Sequence, residues 1–155
     1  MLRDINENDR NQTIELVNQF FRKVNALELD GLFRIRPRAA TKFTDIYFKL
    51  QHTGRVYMRG VFADEELVSL IIARVEEKPH LDEETSLFID LAVTKLGHKK
   101  NGYMKLLLND IKEWCKQKSI PSIELRAILK NEEAVKFWDH AGFERFYIRY
   151  RKKLD

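Results

Sequence analysis

Residues 86–108 read SLFIDLAVTKLGHKKNGYMKLLL, and this stretch decides the fold. Leu87 to Val93 is apolar except for Asp90. A run of that kind predicts a strand covered on both sheet faces. Beyond it, Met104, Leu107, Leu108, Ile111, Trp114 and Cys115 recur at spacings of three and four, which predicts an amphipathic helix. Between strand and helix lies Gly97-His98-Lys99-Lys100-Asn101-Gly102. Gly and Asn tolerate positive φ, so this turn can fold its amides inward where the helix begins. A helix start has unpaired N–H groups and partial positive charge. The expectation is an anion cradle whose field the lysines extend. The competing reading is an ordinary strand–helix turn with solvated lysines.

Working outward, Pro121 stops the helix near Ser119. Ser122 to Leu129 then alternates Ile123, Leu125, Ala127 and Leu129 on one face, which predicts a strand. Strand, crossover helix and strand form a right-handed parallel unit. Asn131 is expected to cap a short helix over Glu132–Ala141, closed by Gly142. Phe143 to Lys153 reads as a last aromatic strand.

Upstream, Leu2–Ile5 is a short strand, and Asn8–Leu27 a helix with Ile14, Val17, Phe20, Phe21 and Val24 on one face. Gly31–Pro37 is irregular. Arg38–Thr53 reads as a second helix, with Phe43, Ile46, Tyr47 and Leu50 inward and Gly54 as its stop. Arg55–Ala63 and Leu67–Glu76 flank Asp64-Glu65-Glu66 as a hairpin, and Lys78–Thr85 is a polar loop around Pro79. No repeat, low-complexity segment or linker divides residues 1–155, so one domain is expected, with a mixed α/β sheet and one parallel pair at its centre.

Composition narrows the function classes. Hydrophobic content of 44% with 34% charged residues suits a soluble globular chain, not a disordered one. No apolar run reaches membrane-spanning length, and the polar start MLRDINENDR does not read as a signal peptide. A single cysteine, Cys115, excludes an intramolecular disulfide and fits a reducing cytoplasm. Only His52, His80, His98 and His140 are present, and they are scattered, so no metal is expected. The net charge of +4 favours anionic partners without naming one. Basic groups concentrate at residues 34–38, 98–100 and 149–153. No recognition helix or aromatic RNA signature accompanies them, so nucleic acid is not the expected partner.

Two motifs in this order resemble the GNAT (GCN5-related) family of acyl-CoA-dependent N-acyltransferases. The first is Ile89-Asp90-Leu91-Ala92-Val93 followed by the basic glycine turn and a leucine-rich helix. The second is NEEAVKFWDHAGF, residues 131–143, similar to the family's Asn…Ala…Phe-Tyr…Gly-Phe segment at the same spacing. The family's loop pattern, Arg/Gln-x-x-Gly-x-Gly/Ala, fits with Lys99 first, Gly102 as first glycine and Met104 in place of the second. A shifted fit would start at His98 and put Asn101 at the first glycine. The resemblance spans nearly the whole chain. It implies an α/β mixed sheet flanked by about four helices, in which a parallel strand pair splays apart.

What the resemblance implies for chemistry is acetyl transfer from acetyl-CoA to a primary amine of a small molecule or peptide, by direct attack in a ternary complex. The backbone amides of Lys99, Lys100, Asn101, Gly102, Tyr103 and Met104 would hold the coenzyme A pyrophosphate. Leu91, Ala92 and Val93 would offer backbone groups to the pantetheine arm and an oxyanion donor. Asn131 would reach the arm from the other side and Phe137 would pack on it; their plain roles are helix cap and core. Asp90 would take the amine's proton, or it simply bonds a neighbour's backbone or an arginine. Glu124 and Arg126 are further candidates for substrate contact. Where the family commonly has a tyrosine that protonates the leaving thiolate stands Trp138. An indole N–H donates a hydrogen bond but does not give up its proton. Tyr103, His140 and Tyr147 are the alternatives for that proton. An acceptor groove would draw on Tyr47, His52, Arg34, Arg36, Tyr147 and Tyr150, which favours an acceptor carrying carboxylate or phosphate. Two other functions stay open: an idle acyl-CoA-binding sensor module, and acetylation of an aminoacylated RNA. A homodimer is compatible with the sequence.

Overall fold

The computed structural model describes residues 1–29 and 31–155. The elements follow as β1 (Leu2–Asp4), α1 (Arg10–Ala26), α2 (Ala39–Gln51), β2 (Val56–Ala63), β3 (Glu66–Glu77), β4 (Thr85–Thr94), α3 (Tyr103–Gln117), β5 (Ile123–Leu125) and α4 (Glu132–His140). Single turns of 3-10 helix lie at Glu7–Asp9 and Gly31–Phe33. The strands form one mixed sheet in the order β1-β2-β3-β4-β5. Every neighbouring pair is antiparallel except β4 and β5, which are parallel across the α3 crossover.

Each sheet face carries its own core. Leu16 and Val17 of α1 and Tyr47 and Phe48 of α2 pack on Met58, Leu70, Ile72, Leu91 and Val93. On the other face, Leu107, Leu108, Ile111 and Cys115 of α3 cover Tyr57, Ile71, Ala73, Leu87 and Ile89. Trp114 and Trp138 pack at the edge of that second cluster. The spacing read from Met104 to Cys115 is therefore the buried stripe of α3, and β4 is covered on both faces as its apolar run requires.

Three expectations are corrected. On α2 the inward positions are Ala40, Thr44, Tyr47 and Phe48, while Ile46 and Leu50 are 55% and 39% exposed. Four apolar positions near one stripe admit two rotations of the helix, and the one chosen buries Tyr47 against the sheet. The strand over Ser122–Leu129 shrinks to Ile123–Leu125, leaving Leu129 exposed. The last aromatic strand does not form: residues 143–155 join no ladder among the described residues. Phe146, Tyr147, Ile148 and Tyr150 are 69–87% exposed. Alternation of side chains reports an extended backbone, whereas a strand needs a neighbouring edge. Here Arg145 is tied to Asp139 of α4 by a 3.0 Å bond from Nε, and the cationic run beyond it repels itself.

Candidate active site

The site is built where β4 leaves β5. The parallel pairing runs Leu87↔Ile123, Phe88↔Glu124 and Ile89↔Leu125, and no further. At the same point the register against β3 slips, from Ala73↔Ile89 to Ile72↔Leu91, so Asp90 is the extra residue of a β-bulge. A bulge bends its strand and ends local pairing. It also reverses which backbone groups face which neighbour. Before the bulge, the Leu87 N–H donates to Ser122 at 2.9 Å, so Leu87 and Ile89 face β5. After it, the Lys95 N–H donates to Val68 at 2.8 Å, so Lys95, Val93 and Leu91 face β3. Backbone direction alternates along a strand, which leaves Ala92 and Thr94 facing the parted edge. Of the three strand residues expected to offer backbone groups there, only Ala92 is so aimed. Leu91 and Val93 spend theirs in the β3 ladder and their side chains in the core. The Thr94 carbonyl already accepts from Gln19 Nε2 at 3.0 Å.

The bulge also places Asp90 on the α1–α2 face. Its Oδ2 accepts from the Tyr47 hydroxyl and from Arg74 Nε, the latter at 3.0 Å. Among the described residues Oδ1 has no hydrogen bond. Burial pushes the Asp90 carboxyl up to about 6, against the pull of the Arg126 charge. Arg74 and Tyr47 favour the anion as well. The guanidinium carbons of Arg74 and Arg126 lie 5.1 and 5.3 Å from the centre of the Phe88 ring. Glu124 is ion-paired to Lys78. That pairing holds its carboxyl down, although burial, the largest influence, acts upward. Glu124 is therefore held in an ion pair, whereas among the described residues Arg126 forms none and rests on the Phe88 ring.

Beyond Thr94 the turn takes a left-handed backbone at Gly97, Lys100 and Gly102, with φ of +86°, +66° and +77°. The His98 N–H closes on Lys95 at 3.0 Å, and the next backbone donor to find a carbonyl is Leu106, on Gly102 at 3.1 Å. Among the described residues, the N–H groups of residues 99–105 reach no acceptor in hydrogen-bonding geometry. This turn supplies consecutive free donors at the first turn of α3, where the helix field also favours an anion. Lys99 is paired with Glu133 at 3.2 Å, and Lys23 shares that carboxylate at 3.3 Å. Lys100 extends into solvent, and the Asn101 side chain donates to the His98 carbonyl at 3.1 Å. Tyr103 and Met104 are half-buried against the α3 cluster.

The second motif lies on α4. Asn131 Oδ1 accepts from the Ala134 N–H at 3.3 Å and so caps the helix. Phe137 is 41% exposed. Trp138 packs into the α3-side cluster and meets Phe137 and Phe143 edge-on, at 4.9 and 5.2 Å between ring centres. The thiolate alternatives are scattered: the His140 ring lies on the Lys136 carbonyl at 2.8 Å, and Tyr147 is exposed. Tyr150 of the expected groove is exposed too. Sequence reading missed Arg74 and Phe88. Arg74 lies on the hairpin, sixteen residues before its carboxylate, and Phe88 looked like one more apolar strand residue. Among the described residues there is no cluster of three metal-ligating side chains, and no helix is long and apolar enough to cross a membrane.

The sequence matches the Acetyltransferase (GNAT) family over residues 18–143. No curated protein sequence matches. Among solved structures, a GCN5-related N-acetyltransferase from Ralstonia eutropha superposes with a TM-score of 0.78 at 15% identity, covering 99% of this chain and 97% of that one. The ribosomal-protein-alanine N-acetyltransferase of Brucella melitensis gives 0.73 at 14% identity, covering 100% and 99%. The aminoglycoside N-acetyltransferase AAC(6')-Iy, in complex with CoA, gives 0.71 at 15% identity, covering 99% and 100%. Such identities speak for the fold, and the family match extends over most of the chain. This chain belongs to the acetyltransferase (GNAT) family of transferase enzymes.

Proposed function

We propose that this enzyme moves an acetyl group from acetyl-CoA to a primary amine of a small molecule or peptide, by direct attack within a ternary complex. The observation that carries the reading is a pair of openings at one end of β4. The strand parts from β5 after Ile89, and the turn that follows has free amides from residue 99 to residue 105. These groups suit the two polar parts of the cosubstrate. Consecutive N–H donors at a helix start suit a pyrophosphate. The N–H and carbonyl of Ala92 on a bare edge suit the amides of an extended arm.

The chain's own residues then divide the work. Asp90 Oδ1, directly or through one water, takes a proton from the incoming ammonium. The Ala92 N–H supports the negative charge that develops on the carbonyl oxygen. The nitrogen forms a bond to the carbonyl carbon as the C–S bond breaks; of the two protons left on nitrogen, one ends on the departing sulfur and the other stays in the amide product. Trp138 can donate a hydrogen bond in that region but cannot supply the proton. Asn131, committed through Oδ1 to the Ala134 N–H, keeps its amide N–H groups for the arm. The exposed Phe137 ring supports a packing role there. The buried thiol of Cys115, raised to about 11 by burial, plays no part and suits a reducing cytoplasm.

Calorimetric titration with acetyl-CoA, followed by CoA thiol release over a panel of amines, tests the reading. Micromolar binding with amine-dependent thiol release is expected. No binding overturns the reading, and binding without turnover of any amine leaves the idle sensor module, which the packing of Trp138 would then favour.

A further inference from the structure

Where β4 and β5 part, two arginines share one aromatic ring but not the same duties. Arg74 is paired twice: Nε bonds Asp90 at 3.0 Å and Nη1 bonds Glu76 at 3.4 Å. Arg126 follows Leu125, the last paired residue of β5, and so sits at the mouth of the opening. Its guanidinium lies on Phe88, 5.3 Å from the ring centre, and forms no ion pair among the described residues. Stacking holds a guanidinium in orientation and leaves its N–H fork free for a planar anion. Phe88 shares its face of β4 with Asp90, so the same ring positions the free guanidinium beside the carboxylate that would receive the amine.

We propose that the acceptor of this enzyme carries an anionic group, a carboxylate or a phosphate, within a few bonds of its amine, and that Arg126 is the residue that selects for it. The inference rests on the acetyl-transfer reading and adds the acceptor's chemistry. Asp90 Oδ1, the carboxylate oxygen without a hydrogen bond among the described residues, receives the nitrogen. Arg126 receives the anion in a bidentate contact. The charges agree with this division. Asp90 and Glu76 both pair with Arg74, and among the described residues neither forms an ion pair with Arg126. A zwitterionic acceptor adds no net charge to the opening and pairs both groups. A polyamine would instead bring its second cation against Arg126. Both effects are strengthened where the site excludes water.

The test compares matched acceptors in acetyl-CoA-dependent thiol release: α-amino acids, their carboxamides, the corresponding decarboxylated amines, O-phosphoethanolamine and a linear polyamine. For the carboxylate or the phosphate arm, kcat/KM is expected at least about tenfold above its uncharged twins. A lead for one arm over the other identifies the anion. Arg126→Gln should raise KM for the anion-bearing acceptor about tenfold or more and bring acid and carboxamide to parity. Arg126→Lys should recover part of the preference, since it keeps the charge but loses the fork. Arg126 is exposed, so both variants are expected to fold, and their circular dichroism and Tm check this. Equal rates for acid and carboxamide, faster turnover of the polyamine, or acetyl-CoA binding with no turnover of any anion-bearing amine would each overturn the proposal. Failure to bind acetyl-CoA at all strikes the acetyl-transfer reading instead, so the two failures are distinguishable.

Discussion

Asp90 sits on a bulge, with Tyr47 and Arg74 both donating to Oδ2, and burial pushes its carboxyl up to about 6. A base must be ionised to take a proton, so log kcat/KM should rise with pH through about 6 on its acid limb. Asp90→Asn should lower kcat by about 10²-fold or more and remove that limb. A pH–rate profile unchanged by the substitution excludes Asp90 as the base. The same residue shapes stability. Its folded-state pKa lies above its ordinary value of 3.8, so the fold favours the protonated form. The cost of ionising it is absent below about pH 4, grows towards pH 6 and is complete above. The stability of Asp90→Asn relative to the parent should therefore climb over that window and level off, as denaturant titrations at pH 4, 5, 6 and 7 would show. Asp90 was legible in the sequence as the single acid of an apolar strand. Tyr47 and Arg74, its partners on α2 and β3, were not, because contacts between elements follow from register and helix rotation.

At the scale of elements, the strand–turn–helix unit was legible because its signals are local: an apolar run, glycines at positive φ, and a stripe at helical spacing. The bulge was hidden by the same apolar run, since Phe88, Leu91 and Val93 are equally at home on either face. The free amides of residues 99–105 yield a prediction about electrostatics. Lys99→Glu with Lys100→Glu reverses two charges beside the turn. It also replaces the Lys99 ion pair with Glu133 by two facing carboxylates. CoA affinity should fall at least about tenfold, more steeply at low salt, with circular dichroism unchanged. An unaltered Kd would move the pyrophosphate away from this turn. Packing within the hairpin gives another. A Cβ at Gly60 would lie 2.3 Å from Leu67 Cδ1 and 3.0 Å from the Ser69 carbonyl oxygen. The leucine can swing aside, but the backbone oxygen in the β2–β3 ladder has little room to yield. Gly60→Ala should cost about 1–3 kcal/mol and lower Tm by several degrees, measured by thermal unfolding.

For the whole molecule, two cores on opposite faces of one sheet fix everything from β1 to α4, and the chain beyond Arg145 adds little to either. Phe143 still serves, closing on Trp138 through its ring and a 3.1 Å backbone bond, and Arg145 ties down to Asp139. Past that point Phe146, Tyr147, Ile148 and Tyr150 face solvent. Exposed apolar groups contribute almost none of the burial that stabilises a fold. Residues 149–153 carry four basic side chains, which add to the positive field around the molecule. The segment reads as a strand because aromatic residues crowd it; whether an edge receives it depends on how far β5 extends, and that is set by where the bulge parts the sheet. Removing residues 146–155 should therefore leave the chain folded with Tm lowered by no more than about 4 °C, the equivalent of about 1 kcal/mol in a protein of this size. Acetyl-CoA affinity, which on the proposed reading depends on the turn and the β4 edge, should change about twofold at most in buffer of physiological ionic strength, where screening blunts the lost charges. A fall in Tm of about ten degrees or more would mean that the aromatic segment is stacked against the sheet after all.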